Sequence, residues 1–467
     1  MDATSSAARD VASDFSTQGI TNTAWAYATL LVRDQPLFSS ISAASLAQIR
    51  SFNSQELSNT AWSFAQLQSN DAPLRAAISS ASVRSIAQFE VQGLTGLVWA
   101  CATLVYADGP LLAAISSAAI PRLGQAGRSS TGQRPSIGIL GLVYGLSSLG
   151  ALEAELLHIA EGSLERLAEV QDAQRGASGP PTLEGSAKRS HGAAPSSEAV
   201  PEEPRVLQEI GGLSFLFKPA GWTVSVGNDE DGDQAGGTPL WAQEDKWAIK
   251  DWLAQEFGSS CPIVSDGGVS CGLLHRLDVQ TSGALLWARD YRSYYAARLM
   301  LACRRVSKEY VCLCHGHVSS SLRFLASPLL ERGEGLRVGV CTTCSPFGRP
   351  ALTELLAVAH MRTPDGDPVS LVEVRIHTGR RHQIRAHLSS GGHPLLGDTN
   401  YGGASPAWCP RVFLHARRLV LDARGERAAV VLPLPGDLRG ALGTLSAAER
   451  GALAVVGRLT ARASRAA

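Results

Sequence analysis

No lysine occurs in the first 171 residues of this 467-residue chain. That stretch carries 9 arginines against 13 acidic residues, a net of −4, which argues against a strong phosphate-tracking groove there. No apolar run approaches the ~18 residues that a membrane span needs. The opening Met1-Asp2-Ala3-Thr4 is acidic and has no apolar core, so neither membrane insertion nor secretion is expected. It is also a poor arginine-rich transit peptide. Nine cysteines, an odd number, read as thiols of a reducing, intracellular setting rather than as a disulfide framework. The compartment stays open between chloroplast or mitochondrion and cytoplasm or nucleus.

What is present sustains two or three domains. Hydrophobic residues make up 45% and charged residues 18%, enough apolar side chain to bury a sizeable core. The formal net charge of zero is unevenly spread. Residues 172–205 carry a net of −1, and 206–467 hold 29 basic and 24 acidic residues. The basic excess of the last part is compatible with a polyanionic partner.

Residues 1–171 repeat with a step of 37. Phe15, Phe52 and Phe89 keep it, as do Trp25, Trp62 and Trp99, Pro36, Pro73 and Pro110, Gln18, Gln55 and Gln92, and Ile41, Ile78 and Ile115. A fixed step in five residue types marks a stacked repeat. In the second copy Leu57, Ala61, Trp62 and Phe64–Leu67 share one helix face, with Asn53 or Ser54 as cap. Pro73 opens a second helix whose face continues through Leu74, Ile78 and Val83. Each unit is thus a helical hairpin that must stack on neighbours to bury its apolar stripe. A decayed fourth copy contains Gly141 to Tyr144, and Leu152 to Ala168 reads as a closing helix. The Asn-Thr-Ala-Trp core resembles the octotricopeptide-like helical repeats of organellar RNA-binding proteins, one residue short of their usual period. A generic protein-binding α-solenoid reads the same pattern equally well.

Residues 172–205 are Gly, Pro, Ser, Ala and charge, the composition of a flexible linker. From Val206 the pattern changes to short apolar strands broken by Gly and Pro, with helices between them. Residues 212–217, 308–313, 353–358 and 369–376 read as strands, and 247–257 and 292–305 as helices. The expected class for 206–447 is α+β on a mixed, largely antiparallel sheet, followed by a helical tail at 448–467.

Four blocks in this half stand in a definite order. They are FKPAGW at 217–222, HRLD-x-x-TSG at 275–283, K-x-Y at 308–310, and TGRRHQIRAHL at 378–388 continuing as GD-x-x-YGG at 397–403. Together they resemble the RluA-like RNA pseudouridine synthases over nearly all of 206–447. The resemblance implies isomerisation of uridine in RNA (rRNA, tRNA or mRNA) by a monomeric enzyme that needs no cofactor and no metal. It makes Asp278 the catalytic carboxylate, Arg385 its partner, Tyr310 the residue facing the base, and Arg276 the residue that aids flipping. Whether the carboxylate acts as nucleophile or base stays open. His275, Arg380, His382 and Gln383 join the substrate-binding set through the same blocks. Lys218 either lines the pocket or finishes a strand. Two positions depart from the family pattern: Gln280 replaces a frequent acid, and Arg381 a common Thr. A lone Cys341-x-x-Cys344 and the histidines 377, 382, 387 and 393 do not make a zinc pattern. The repeats are expected to aid selection of RNA or of a protein partner. The rival expectation is a non-catalytic RNA-binding or assembly factor that kept the synthase fold.

Overall fold

The computed structural model describes residues 8, 12–125, 135–176, 202–224, 247–332, 341–423 and 426–460. The chain divides into two compact units: Met1–Ala168 with Leu301–Arg304, and Glu169–Met300 with Arg305–Ala467.

The first unit is helical. Its helices are α1 (Thr17–Thr29), α2 (Gln35–Gln48), α3 (Ser54–Gln66), α4 (Ala72–Arg84), α5 (Val91–Thr103), α6 (Gly109–Gln125), α7 (Pro135–Ser148) and α8 (Ala154–Gly176). Helices α1 to α7 fall into two rows, α1–α3–α5–α7 and α2–α4–α6, each helix packing on the next of its row. The 37-residue step has a backbone cause. Asp34, Asp71 and Asp108 accept hydrogen bonds from the amides of Leu37, Leu74 and Leu111, at 2.9, 3.0 and 3.0 Å, and so start α2, α4 and α6. Leu31, Gln68 and Val105, each just past the preceding helix, take left-handed φ values of 54, 54 and 51°. Asn53 caps α3 in a reciprocal box with Glu56. Within the first row the helices approach closely: a Cβ on Gly141 of α7 would lie 2.5 Å from Thr95 Cγ2 of α5.

One expectation is corrected here. Trp62 was read with the apolar face of its helix, but it is only half-buried, while Trp25 is 48% exposed. Leu57, Phe64 and Ala65 do the burying instead. Helical spacing places residues on one face without saying how far around the helix the covered stripe extends.

The second unit is built on a sheet. In chain order it holds β1 (Arg205–Ile210), β2 (Leu213–Lys218), α9 (Ile249–Phe257), β3 (Ser282–Ala288), α10 (Tyr291–Ala302), β4 (Val306–His315), β5 (Phe324–Leu325), β6 (Leu329–Arg332), β7 (Cys341–Cys344), β8 (Thr353–Arg362), β9 (Pro368–Ile376), α11 (Gln383–Ser390), β10 (Leu414–Ala423), β11 (Glu426–Val431), α12 (Gly436–Gly443), β12 (Ser446–Ala447) and α13 (Arg450–Thr460). The main sheet runs β1-β2-β3-β10-β4-β9-β8-β12, with β11 on β10 and β5 on β8. The pairs along it are antiparallel except for β3 with β10, which is parallel. That exception needs a close approach. A Cβ on Gly283 (φ 135°) would come within 2.3 Å of the Ala416 carbonyl oxygen.

One face of the sheet is a dry core in which Val311, Leu313, Leu371 and Phe413 meet Leu438, Leu442 and Leu459. The segment read as a helical tail is helical, and it packs on this core. Its helix α13 inserts Ala452 and Leu459 into this core, because the apolar face of the helix has sheet to cover. The expected linker lies mostly outside the described residues. Where it is described, helix continues to Gly176 and strand begins at Arg205.

Candidate active site

The site begins with the turn after Leu277, whose buried side chain anchors the segment to the core. Lys218 holds this turn from beneath. It is fully buried at the end of β2, and its ammonium donates to the carbonyls of Pro219, Asp278, Val279 and Thr281 at 2.9, 3.2, 3.1 and 2.7 Å. Burial pulls this lysine down to about 7, with Asp278 opposing and Arg411 reinforcing. Its place is thus behind the turn rather than in a pocket wall. Gly221 N donates to the Val279 carbonyl at 2.8 Å, and Thr281 N to that of Asp278 at 3.0 Å. Arg411 clamps the far side, donating to the Gln280 carbonyl and to Ser282 Oγ at 2.9 Å each. Gln280 still accepts as an acid would: its side-chain oxygen takes the Val412 amide at 3.2 Å.

So held, Asp278 turns its carboxylate toward α11. Arg385 NH1 donates to Asp278 Oδ2 at 3.3 Å. The same guanidinium forks onto Asp398, Nε at 2.7 Å and NH2 at 2.8 Å, and lies over the Tyr401 ring at 4.8 Å. Burial works against the charge of Arg385, but Asp398 and then Asp278 outweigh it and keep the group firmly cationic. Two carboxylates share one guanidinium, and the shorter bonds belong to Asp398. Asp278 is left with a single long contact and a side chain 20% exposed. That leaves its carboxylate accessible from outside the fold.

His382 Nε2 lies 3.9 Å from Asp278 Oδ1. Burial lowers His382 to about 4 against the pull of Asp278, so at neutral pH this is a contact between a neutral ring and a carboxylate, not an ion pair. His382 Nδ1 and Tyr401 Oη share a hydrogen bond of 3.0 Å, and Thr342 N donates to the same phenol at 3.0 Å. Tyr310 is buried on β4, and its proton is held above the ordinary phenol value by burial and then by Asp278.

The other sequence candidates sit around this group. Gln383 spends its amide on the fold, donating to Leu352 O and Thr353 Oγ1 at 3.0 Å and accepting from Thr378 Oγ1 at 2.7 Å. His275 is buried and accepts from Leu286 N at 3.2 Å; burial, then Lys308, lowers it to about 3. Arg380 donates to Pro350 O at 3.3 Å, and Arg276 is half-buried two residues before Asp278. The structure therefore brings Asp278, Tyr310, His382 and Arg385 together, with Lys218, Gln383 and His275 as their support. Asp398, Tyr401 and Arg411 received no role from the sequence. The first two stood inside a quoted block, and the signal was an acid and an aromatic in a glycine-rich loop.

This arrangement can be set beside known proteins. A family model described as RNA pseudouridylate synthase matches residues 213–390. An uncharacterized RNA pseudouridine synthase of Bacillus subtilis is 30% identical over 253 residues, 51% of this chain and 74% of that protein. One of Mycobacterium bovis is 36% identical over 180 residues, covering 37% of this chain and 55% of its own length. RNA pseudouridylate synthase domain-containing protein 1 of Mus musculus is 37% identical over 197 residues, 40% of this chain and 64% of that protein. The chain thus spans 55%, 64% and 74% of the lengths of these three relatives. At 30% identity across 74% of the Bacillus subtilis protein, and with the family model matching 213–390, the chain belongs to the RNA pseudouridine synthase family.

Proposed function

We propose that this protein converts uridine to pseudouridine in RNA, with Asp278 as the reacting carboxylate. One observation carries the reading: Asp278 is held at a turn, with its carboxylate 3.3 Å from Arg385 and 20% exposed, close to the buried Tyr310. The reaction breaks the bond between uracil N1 and the sugar C1′ and forms one from C5 to C1′. The C5 proton leaves and N1 ends protonated, so no electrons are gained or lost. Asp278 serves at the sugar, as nucleophile or as base. The fork of Asp398 on Arg385 fixes the guanidinium that orients it. Tyr310 faces the base, which must leave its stack to reach this depth, and Arg276 aids that extrusion.

The helical hairpins are assigned to selection of the RNA or of a protein that brings it. Their support is a row of aromatics. Trp25, Trp62 and Trp99 recur on α1, α3 and α5, none fully buried, with the rings of Trp62 and Trp99 6.1 Å apart. Aromatic rows of this kind serve as stacking platforms for nucleic-acid single strands. Replacing all three by Ala in the full chain and crosslinking to RNA separates the two.

The deciding experiment maps pseudouridine across total RNA from cells with the wild-type protein or Asp278→Asn. Sites lost in the variant identify the activity, the substrate and its compartment together. If the protein is present and no site changes, the reading falls to a non-catalytic RNA-binding factor with this fold.

A further inference from the structure

Two cations beside the site are not balanced by the protein. Lys308 stands on β4 two residues before Tyr310, in a stretch paired without a bulge to β9, so both side chains leave the strand on one face. Its ammonium lies against the turn 378–382: a Cβ built on Gly379 would be 3.5 Å from Nζ. Among the described residues Lys308 has no hydrogen bond and no ion pair, whereas Lys218 is met by four carbonyls. Arg381, in the same turn, has its Nε out of solvent contact and without a partner. Its charge reaches the site, since it weakens the proton affinity of His382, as that of Lys308 does for His275.

Both residues are half-buried, so their cations are only partly hydrated, and an anionic ligand would gain by replacing the remaining water. The site also has a problem that such cations solve. Asp278 and Asp398 both stand at the site, yet the substrate is a polyanion whose backbone must pass the same spot. We infer that Lys308 and Arg381 bind the phosphodiester flanking the target uridine, where the strand passes the turn 378–382 beside Tyr310. This rests on the reading of the site as an RNA isomerase.

The test measures binding of a 12-nucleotide oligouridylate to the full chain across a salt series, for wild type, Lys308→Met, Lys308→Arg and Arg381→Thr. Loss of one phosphate contact lowers the slope of log K against log salt by about 0.7, which weakens binding about fivefold at 0.1 M salt. That fall is expected for Lys308→Met and Arg381→Thr, and restoration for Lys308→Arg. Thermal unfolding is the control: Lys308→Met is expected to be no less stable than wild type, since it removes an unbalanced charge. Tritium release from total RNA labelled at uracil C5 is followed in parallel. A wild-type slope in Lys308→Met overturns the inference. So does a saturating rate abolished in Lys308→Arg, which would make Lys308 a proton carrier instead. If the wild type releases no tritium while the slopes still fall, the isomerase reading fails and the phosphate contact stands.

Discussion

At the scale of single residues, the main finding is that Arg385 belongs to Asp398 as much as to Asp278. The bidentate bonds and the 1% exposure of Asp398 make it the fixed anchor of the pair. Asp398→Asn leaves the buried guanidinium half-compensated, and a loss of about 3 kcal/mol in unfolding free energy is expected by chemical denaturation. Turnover should fall about 10- to 100-fold, by analogy with the removal of groups that orient a ligand in other sites. The sequence made Asp278, Tyr310 and Arg385 legible because each sits in a compact block. It left Asp398 without a role because a fork between side chains thirteen positions apart has no local pattern. Lys218 illustrates the converse. A lysine in a matched block suggests a substrate contact, and only the four carbonyls around it reveal that it holds a turn.

At the scale of elements, the repeat carries a recurring strain. Val105 is β-branched, 74% exposed and left-handed at φ 51°, a conformation that costs such a residue about 1–2 kcal/mol. Val105→Gly is expected to stabilise the protein by about 1 kcal/mol in urea titrations, since little contact is lost. The step of 37 was legible from five residue types. The aspartate caps at 34, 71 and 108 keep the same step and were passed over, because a cap is one residue outside the apolar pattern. Strand centres were readable from apolar runs, but β4 and β8 extend beyond them to His315 and Arg362, where pairing rather than composition sets the end. Helix α13 falls within the stretch read as a helical tail, and its packing on the sheet was not legible from composition. Leu459→Ala should cost about 2–5 kcal/mol, a loss no detached tail would show.

At the scale of the whole molecule, buried neutral histidines tie stability to acidity. Burial takes His275 and His415 to about 3 and His382 to about 4, each below the ordinary value near 6.5. Between the folded and unfolded values the unfolded chain holds more protons, so stability present above pH 6.5 is lost as the pH falls toward 4. Each histidine contributes about 1.4 kcal/mol per pH unit in that window. Denaturation at stepped pH should therefore report an uptake of about three protons from this group, and His415→Gln should remove one.

The strand order also sets a schedule for synthesis. Strand β10 lies between β3 and β4, but it is translated after both, and after β8 and β9. Until it emerges from the ribosome, β3, buried throughout in the finished fold, lacks its inner neighbour. An exposed edge of that kind invites pairing with other chains. The Asp278 turn waits on the same event, because Arg411 and the hydrogen bond between Ser282 and His415 arrive with it. A nascent chain halted before Arg411 thus carries all four blocks but lacks the clamp on the Asp278 turn and the inner neighbour of β3.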